Sequence, residues 1–153
     1  MAVAIRDAVD GDEDFILALN AACTPAVSEM DRDDYREIAA ASHRVLVAEL
    51  DGKPCGFLIL IRPGAAYKSD NYGWFEKTFD NHLYIDRIAV SDFARGECVG
   101  RAFYDAASSI AAIRSTITVV MAVWWRSIHS RTPDSAREER SPATAVATRG
   151  RAM

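Results

Sequence analysis

Ile88-Ala89-Val90-Ser91-Asp92-Phe93-Ala94-Arg95-Gly96-Glu97-Cys98-Val99-Gly100-Arg101-Ala102 is the stretch on which the reading of this chain turns. An apolar, strand-like run gives way to a short loop with two glycines. The loop then opens into a helix predicted from about Val99 to Arg114. A strand–loop–helix turn of this kind aims successive backbone N–H groups, and the positive end of the helix dipole, at one spot that suits a phosphate or pyrophosphate. Glycine lets the main chain approach an anion closely. Arg95 and Arg101 add charge-assisted contacts. A tight connection whose glycines serve only the turn fits the same spacing, so the stretch alone leaves both readings open.

Working outward, His82–Val90 is the strand that feeds the loop, and Thr116–Trp125 is a strand-like run beyond the helix. Upstream, Arg44–Leu50 and Cys55–Ile61 flank Asp51-Gly52-Lys53-Pro54, turn chemistry that makes them an antiparallel hairpin. Val3–Arg6 reads as a first strand. Asp10–Asp14 then places acids and capping oxygens where a helix with Phe15, Ile16, Leu19 and Ala22 begins, and Thr24-Pro25 ends it. Asp31–Ala41 is a second, more polar helix with Tyr35 and Ile38 facing inward. Residues 62–81 read as a long connection carrying Tyr67, Tyr72, Trp74, Phe75 and Phe79; that many aromatics argue against disorder. The order β-α-α-β-β-(loop)-β-α-β predicts an α+β fold in mixed α/β layers, with helices on a mostly antiparallel sheet.

Bulk properties narrow the class. The 153 residues suffice for one domain with one sizeable core. Residues 1–114 hold 12 Lys/Arg against 19 Asp/Glu, a net of −7, and residues 115–153 hold 6 against 3, a net of +3. Neither value argues for nucleic acid. Cys23, Cys55 and Cys98 show no CxxC spacing, which speaks against a metal site or a disulfide framework and for a reducing cytoplasm. No secretory signal opens the chain, and the apolar run Ile117–Trp125 is too short to span a bilayer. From Arg126 the periodicity stops. Residues 126–153 contain no aromatic and few large apolar side chains, so a domain at 1–125 followed by a disordered or aberrant tail at 126–153 is expected.

Arg95-Gly96-Glu97-Cys98-Val99-Gly100 resembles motif A of the Gcn5-related N-acetyltransferase (GNAT) superfamily, Arg/Gln-x-x-Gly-x-Gly/Ala after a strand. Further stretches resemble a predicted-acetyltransferase branch with a Tyr- and Trp-bearing loop before that strand. These are Tyr67-Lys68-Ser69-Asp70-Asn71-Tyr72-Gly73-Trp74-Phe75 and Leu83-Tyr84-Ile85-Asp86-Arg87-Ile88. The opening helix, with Leu17-Ala18-Leu19-Asn20 and Pro25-Ala26-Val27-Ser28, is similar as well, so the resemblance spans about residues 3–114.

The resemblance implies a GNAT-like acyl-CoA N-acyltransferase fold and transfer of an acetyl group from acetyl-CoA to a primary amine. Main-chain groups of Ile88, Ala89 and Val90 would bind the pantetheine arm, and backbone amides of Arg95, Gly96, Glu97, Cys98, Val99, Gly100 and Arg101 the pyrophosphate. The thioester would lie where the 82–90 strand splays from its successor, with a small-molecule or peptide amine arriving from the far side. Asp86 is the candidate base, directly or through water; an ion pair with Arg87 or Arg44 is the competing reading. Tyr67, Tyr72 and Trp74 either wall the amine pocket or anchor the loop in the core.

Two departures stand out. Cys98 replaces the first glycine of the Gly-x-Gly/Ala ending, where a side chain strains the loop if φ must be positive. After Trp125 the family's Asn-Pro and Gly-Phe stretches, and the tyrosine that often serves as general acid, do not occur. An alternate frame across residues 123–134 permits that Asn-Pro, and the Arg-, Ala-, Ser-, Thr- and Pro-rich tail has the composition of a GC-rich gene read out of frame. A frameshifted or truncated enzyme is therefore one expectation. A non-catalytic acyl-CoA-binding module, or a protein that dimerises through an uncovered sheet edge, are the others.

Overall fold

The computed structural model describes residues 2–112 and two strands, at 118–122 and 144–147. In chain order the elements are β1 (Val3–Asp7), α1 (Glu13–Ala22), α2 (Arg32–Ala41), β2 (Arg44–Leu50), β3 (Lys53–Ile61), α3 (Asp70–Thr78), β4 (His82–Val90), α4 (Val99–Ala112), β5 (Thr118–Ala122) and β6 (Thr144–Ala147). Single 3-10 turns at Asp10–Asp12 and Asp92–Ala94 precede α1 and α4. The six strands form one sheet in chain order, antiparallel throughout except between β4 and β5, which are parallel. This is the α+β arrangement expected from the sequence.

Strand alternation sorts the apolar side chains onto two faces. Val47, Phe57, Ile59, Ile61 and Tyr84 meet Ile16 and Leu19 of α1, Tyr35 and Ile38 of α2, and Tyr72 and Phe75 of α3. On the opposite face Leu46, Leu58, Leu60, Leu83 and Ile85 meet α4, which buries Val99, Phe103, Ala107 and Ala111 at four-residue spacing. Each large side chain buried this way contributes about 1.5–3 kcal/mol.

Local chemistry sets the boundaries. Asp31 caps α2 by accepting the Asp34 amide (2.8 Å), and Asp34 returns the bond to the Asp31 amide (3.1 Å). Asp51 and Gly52, both at positive φ (51° and 79°), turn β2 into β3. Asp12 does not cap α1 as its acid-rich context suggests. Its carboxylate accepts the Val9 amide (2.8 Å) and takes both terminal nitrogens of Arg6 (2.7 and 3.0 Å), pinning β1 to the start of α1.

Two expectations need correction. The connection 62–81 is not all loop: α3 forms within it, capped by Ser69, whose hydroxyl oxygen accepts the Tyr72 amide at 3.4 Å. Tyr72, Phe75 and Phe79 lie at helical spacing, a signal masked by Gly73 and by the surrounding turn residues. The tail expected to be irregular from 126 contributes β6, which pairs antiparallel with β5 over Val119–Ala122. β5 is therefore not a sheet edge; the outer strand on this side of the sheet is β6. The remaining tail positions, and the expected boundary at residue 125, lie outside the described residues.

One irregularity in β4 positions everything that follows. The β3–β4 register runs Leu60↔Ile85 and then Ile59↔Arg87, leaving Asp86 as the extra residue of a β-bulge. Leu83 and Ile85 face α4, as do Ile88 and Val90, so the bulge resets the alternation between the two pairs. As a result Asp86 and Arg87, neighbours that a regular strand would send to opposite faces, form an ion pair on the side of α1 and α3 (Nε to Oδ2, 2.9 Å).

Candidate active site

Past the bulge, β4 is paired on one side only among the described residues. On the β3 side the ladder continues through Leu58↔Ile88, Phe57↔Ala89 and Gly56↔Val90. On the β5 side it ends at Ile85↔Met121, so among the described residues Asp86–Val90 have no β5 partner. A chain with amide and carbonyl groups laid into this cleft would add to β4 like a strand.

The cleft leads into the 91–98 loop. Ser91 donates its amide to the Cys55 carbonyl (2.8 Å), and the amides of Ala94, Arg95 and Glu97 close the 3-10 turn onto the Ser91, Asp92 and Ala94 carbonyls. The first amide of α4 to find a backbone acceptor is that of Ala102, on the Cys98 carbonyl (3.0 Å). The amides of Gly96, Cys98, Val99, Gly100 and Arg101 make no hydrogen bond among the described residues. They are orphan donors at a helix N-terminus, the arrangement that accepts an anion. The residues fit a diphosphate in space as well: a Cβ at Gly96 or Gly100 would meet nothing within 4 Å. Arg101 is exposed, and Arg95 is exposed and paired with Asp92 at 3.0 Å. Gly96 sits at φ 87° and Cys98 at φ 61°. Cys98 thus occupies the left-handed region that its substitution for glycine put in question, at a cost of about 1–2 kcal/mol.

On the far side of β4, the Asp86 side chain is only 5% exposed and both of its oxygens are engaged. Oδ1 accepts the Tyr67 hydroxyl (2.7 Å) and Oδ2 the Arg87 Nε. The ion pair with Arg87 is therefore present, whereas Arg44 is spent on Asp7. Burial first, and then the bond to Asp86, push the Tyr67 phenol far above its usual range. Tyr84, at the heart of the same cluster, is pushed up to about 12 by burial and by the Asp86 charge. Both phenols therefore stay neutral near pH 7, and Tyr67 donates its proton to Asp86.

The three aromatic residues proposed for the amine pocket separate. Tyr67 reaches Asp86. Tyr72 is a core anchor, only 2% exposed; its hydroxyl donates to the Arg62 carbonyl (2.7 Å) and accepts the Ala65 amide (3.1 Å). Trp74 is 52% exposed and packs edge-on against Phe75 and Phe79, without ring contact to Tyr67 or Tyr72.

Three residues at this site were not singled out from the sequence as site residues: Cys23, Asn20 and Ser28. The Cys23 thiol, raised by burial, is lowered in part by Arg95 and by a hydrogen bond to the Val90 main chain, which puts the end of α1 beside the end of β4. Asn20, fully buried, donates from Nδ2 to the Ser28 carbonyl (2.9 Å) and accepts Arg87 Nη1 on Oδ1 (3.1 Å). Among the described residues, no helix is long and apolar enough to cross a membrane.

A family model described as acetyltransferase (GNAT) family matches residues 14–124. No curated protein matches the chain in sequence. Among solved structures, a GNAT family acetyltransferase from Brucella melitensis in complex with acetyl-CoA superposes with a TM-score of 0.54 at 19% identity, over 79% of this chain and 75% of that one. A ribosomal-protein-alanine N-acetyltransferase from Brucella melitensis biovar Abortus 2308 gives 0.59 at 19% identity, over 92% and 99%. GphF, a GNAT-like decarboxylase in complex with isobutyryl-CoA, gives 0.61 at 22% identity, over 77% and 64%. At these identities the superpositions establish the fold.

Proposed function

The chain belongs to the acetyltransferase (GNAT) family, whose cofactor is acetyl-CoA, and from that premise we propose that it acetylates a primary amine carried by a small molecule or a peptide. The observation that carries the proposal is the meeting of two unsatisfied backbone surfaces: the one-sided stretch of β4 and the five unpaired amides of the following loop.

Acetyl-CoA supplies an acyl group already activated as a thioester. The protein is left to align the amine, take its proton and stabilise the developing oxyanion. In this reading the main chain of Ile88, Ala89 and Val90 holds the pantetheine arm, and the amides of Gly96, Cys98, Val99, Gly100 and Arg101 hold the diphosphate, with Arg101 adding charge; those of Arg95 and Glu97 are kept by the 3-10 turn. This assignment fills the side of β4 that carries the loop and α4. The amine then approaches from the α1–α3 side, where Tyr67 and Asp86 lie. Asp86 is the proton acceptor, reached through the Tyr67 oxygen, whose lone pairs remain available while its proton is donated to Asp86.

A second reading is favoured by one specific feature. Both Asp86 oxygens are engaged, one by a guanidinium, which suits a module that binds acyl-CoA without turnover. Calorimetry with acetyl-CoA, followed by an amine panel with a thiol-release readout, tests both. Saturable binding with amine-dependent thiol release, lost in Asp86→Asn, supports the acetyltransferase. Binding without release selects the second reading, and absence of binding overturns both.

A further inference from the structure

Arg87 carries more of the site than its place beside Asp86 suggests. Its side chain is only 10% exposed and donates in three directions: Nε to Asp86, and Nη1 to both the Asn20 Oδ1 and the Ser28 carbonyl (3.3 Å). Asn20, buried in α1, closes the triangle by donating to the same Ser28 carbonyl. The connection from α1 to α2 is thus fixed at two points along β4. Cys23 sits against the Val90 main chain at one end, and Ser28 is held by Arg87 at the other. Between those points the connection runs beside the part of β4 that β5 leaves unpaired. Only the bulge makes this possible, because in a regular strand Arg87 would point towards α4.

We propose that Arg87 is a positioning residue: through Asp86, Asn20 and the Ser28 carbonyl it holds the 23–31 connection against β4 and so sets the acceptor-side wall of the cleft. It contacts neither substrate. The inference rests on the proposed function, since it takes the α1–α3 side of β4 to be where the amine enters. A planar guanidinium can serve an acid, an amide oxygen and a carbonyl at once, with fixed geometry. A lysine ammonium keeps the charge beside Asp86 but cannot span all three. Arg87→Lys therefore separates the tie to the connection from the charge on Asp86, and Asn20→Ala weakens the tie without touching Asp86.

The deciding measurement is hydrogen exchange on the full chain, which needs no acceptor, read beside acetyl-CoA calorimetry. In Arg87→Lys, exchange at residues 24–30 rises about tenfold, equivalent to about 1.4 kcal/mol of local stability, while residues 96–102 and the acetyl-CoA affinity stay at wild-type values. Asn20→Ala shows the same pattern, smaller. With spermidine or a tripeptide bearing a free N-terminus as acceptor, KM for the amine rises about tenfold at unchanged kcat. Unchanged exchange at 24–30 overturns the inference. So does a rise spread over the whole sheet, which marks a merely structural role, or a fall in kcat at constant KM. Failure of the wild-type chain to bind acetyl-CoA brings down the proposed function and this inference with it, whereas the other negative results sink the inference alone.

Discussion

The two faces of the sheet are built to different rules. The α4 face is closed by an apolar cluster that runs from Leu46 and Leu58 through Phe103 to Ala111. The α1–α3 face holds all three buried polar or charged residues among those described, Asp12, Asn20 and His82, together with the Asp86–Arg87 pair. Even its core has an unfinished contact: His82 Nε2 and Glu76 Oε1 face each other at 3.5 Å, each without a hydrogen bond. An apolar face tolerates little change in volume but carries no charge to misplace. A polar face is specific, and it becomes costly when one partner is lost. In the function proposed above, the apolar face supports the cofactor loop and the polar face receives the chemistry.

That contrast can be broken by experiment. The largest effect is expected from Phe103→Ala on the apolar face. Phe103 is fully buried, and its removal should cost about 3–5 kcal/mol in urea unfolding; a loss below about 1 kcal/mol would mean that α4 does not close this face. On the polar face, Asp12→Asn should cost about 1.5–3 kcal/mol, the scale of hydrogen bonds to a charged group. Its pH dependence sharpens the comparison. The Arg6 hydrogen bonds hold the Asp12 carboxyl below its usual value. The stability this contributes is complete above the unfolded pKa near 4 and is lost as the pH falls through the lower folded pKa. The wild type should therefore lose stability below about pH 4 and the variant should lose less. Parallel acid titrations of the two proteins would end the idea.

Gly56→Ala probes the apolar face more gently. An added Cβ would stand 2.9 Å from the Ala89 carbonyl oxygen and 3.0 Å from Phe103. The first neighbour is backbone and cannot swing aside, so a loss of about 1–3 kcal/mol is expected. The smallest effect belongs to Cys98→Gly. Relief of positive φ is offset in part by the greater freedom of glycine in the unfolded chain, which leaves a gain of at most about 1 kcal/mol and tighter acetyl-CoA binding. Unchanged or weaker affinity in that variant would show that the cysteine suits the loop as it stands.

Much of this fold was legible in the sequence because it rests on local patterning. Arg44–Leu50, His82–Val90 and the start of α4 at Val99 follow directly from period and turn residues. The glycine position occupied by Cys98 raises the question of positive φ in the sequence, and the structure answers it with φ 61°. The rest depends on long-range pairing. Nothing in Ile85-Asp86-Arg87-Ile88 announces a bulge, because a bulge is a relation between two strands, set here by the register of β3 against β4. Without it, Arg87 could not be placed against Asn20, 67 positions earlier in the chain. Tyr67, Tyr72 and Trp74 likewise share a composition and a neighbourhood, but only the tertiary fold assigns them three different environments. β6 escaped notice because Thr144–Ala147 is four small or β-branched residues in a polar tail, too short to show a period.

The bulge also changes how the length of β4 should be regarded. In an ordinary strand, deleting one residue slips the register and exchanges the two faces from the deletion onward. In β4 the extra residue has already shifted the parity at Asp86. Removing that residue would therefore restore strict alternation with every face kept: Ile85, Ile88 and Val90 would still meet α4, and Arg87 would stay on the α1–α3 side. The strand would be more regular and would pair more completely, yet it would lose the carboxylate that accepts the Tyr67 hydroxyl and the Arg87 Nε. The strand thus carries one residue more than its two faces require, so a relative with a regular strand would align on the right faces only across a one-residue gap at Asp86.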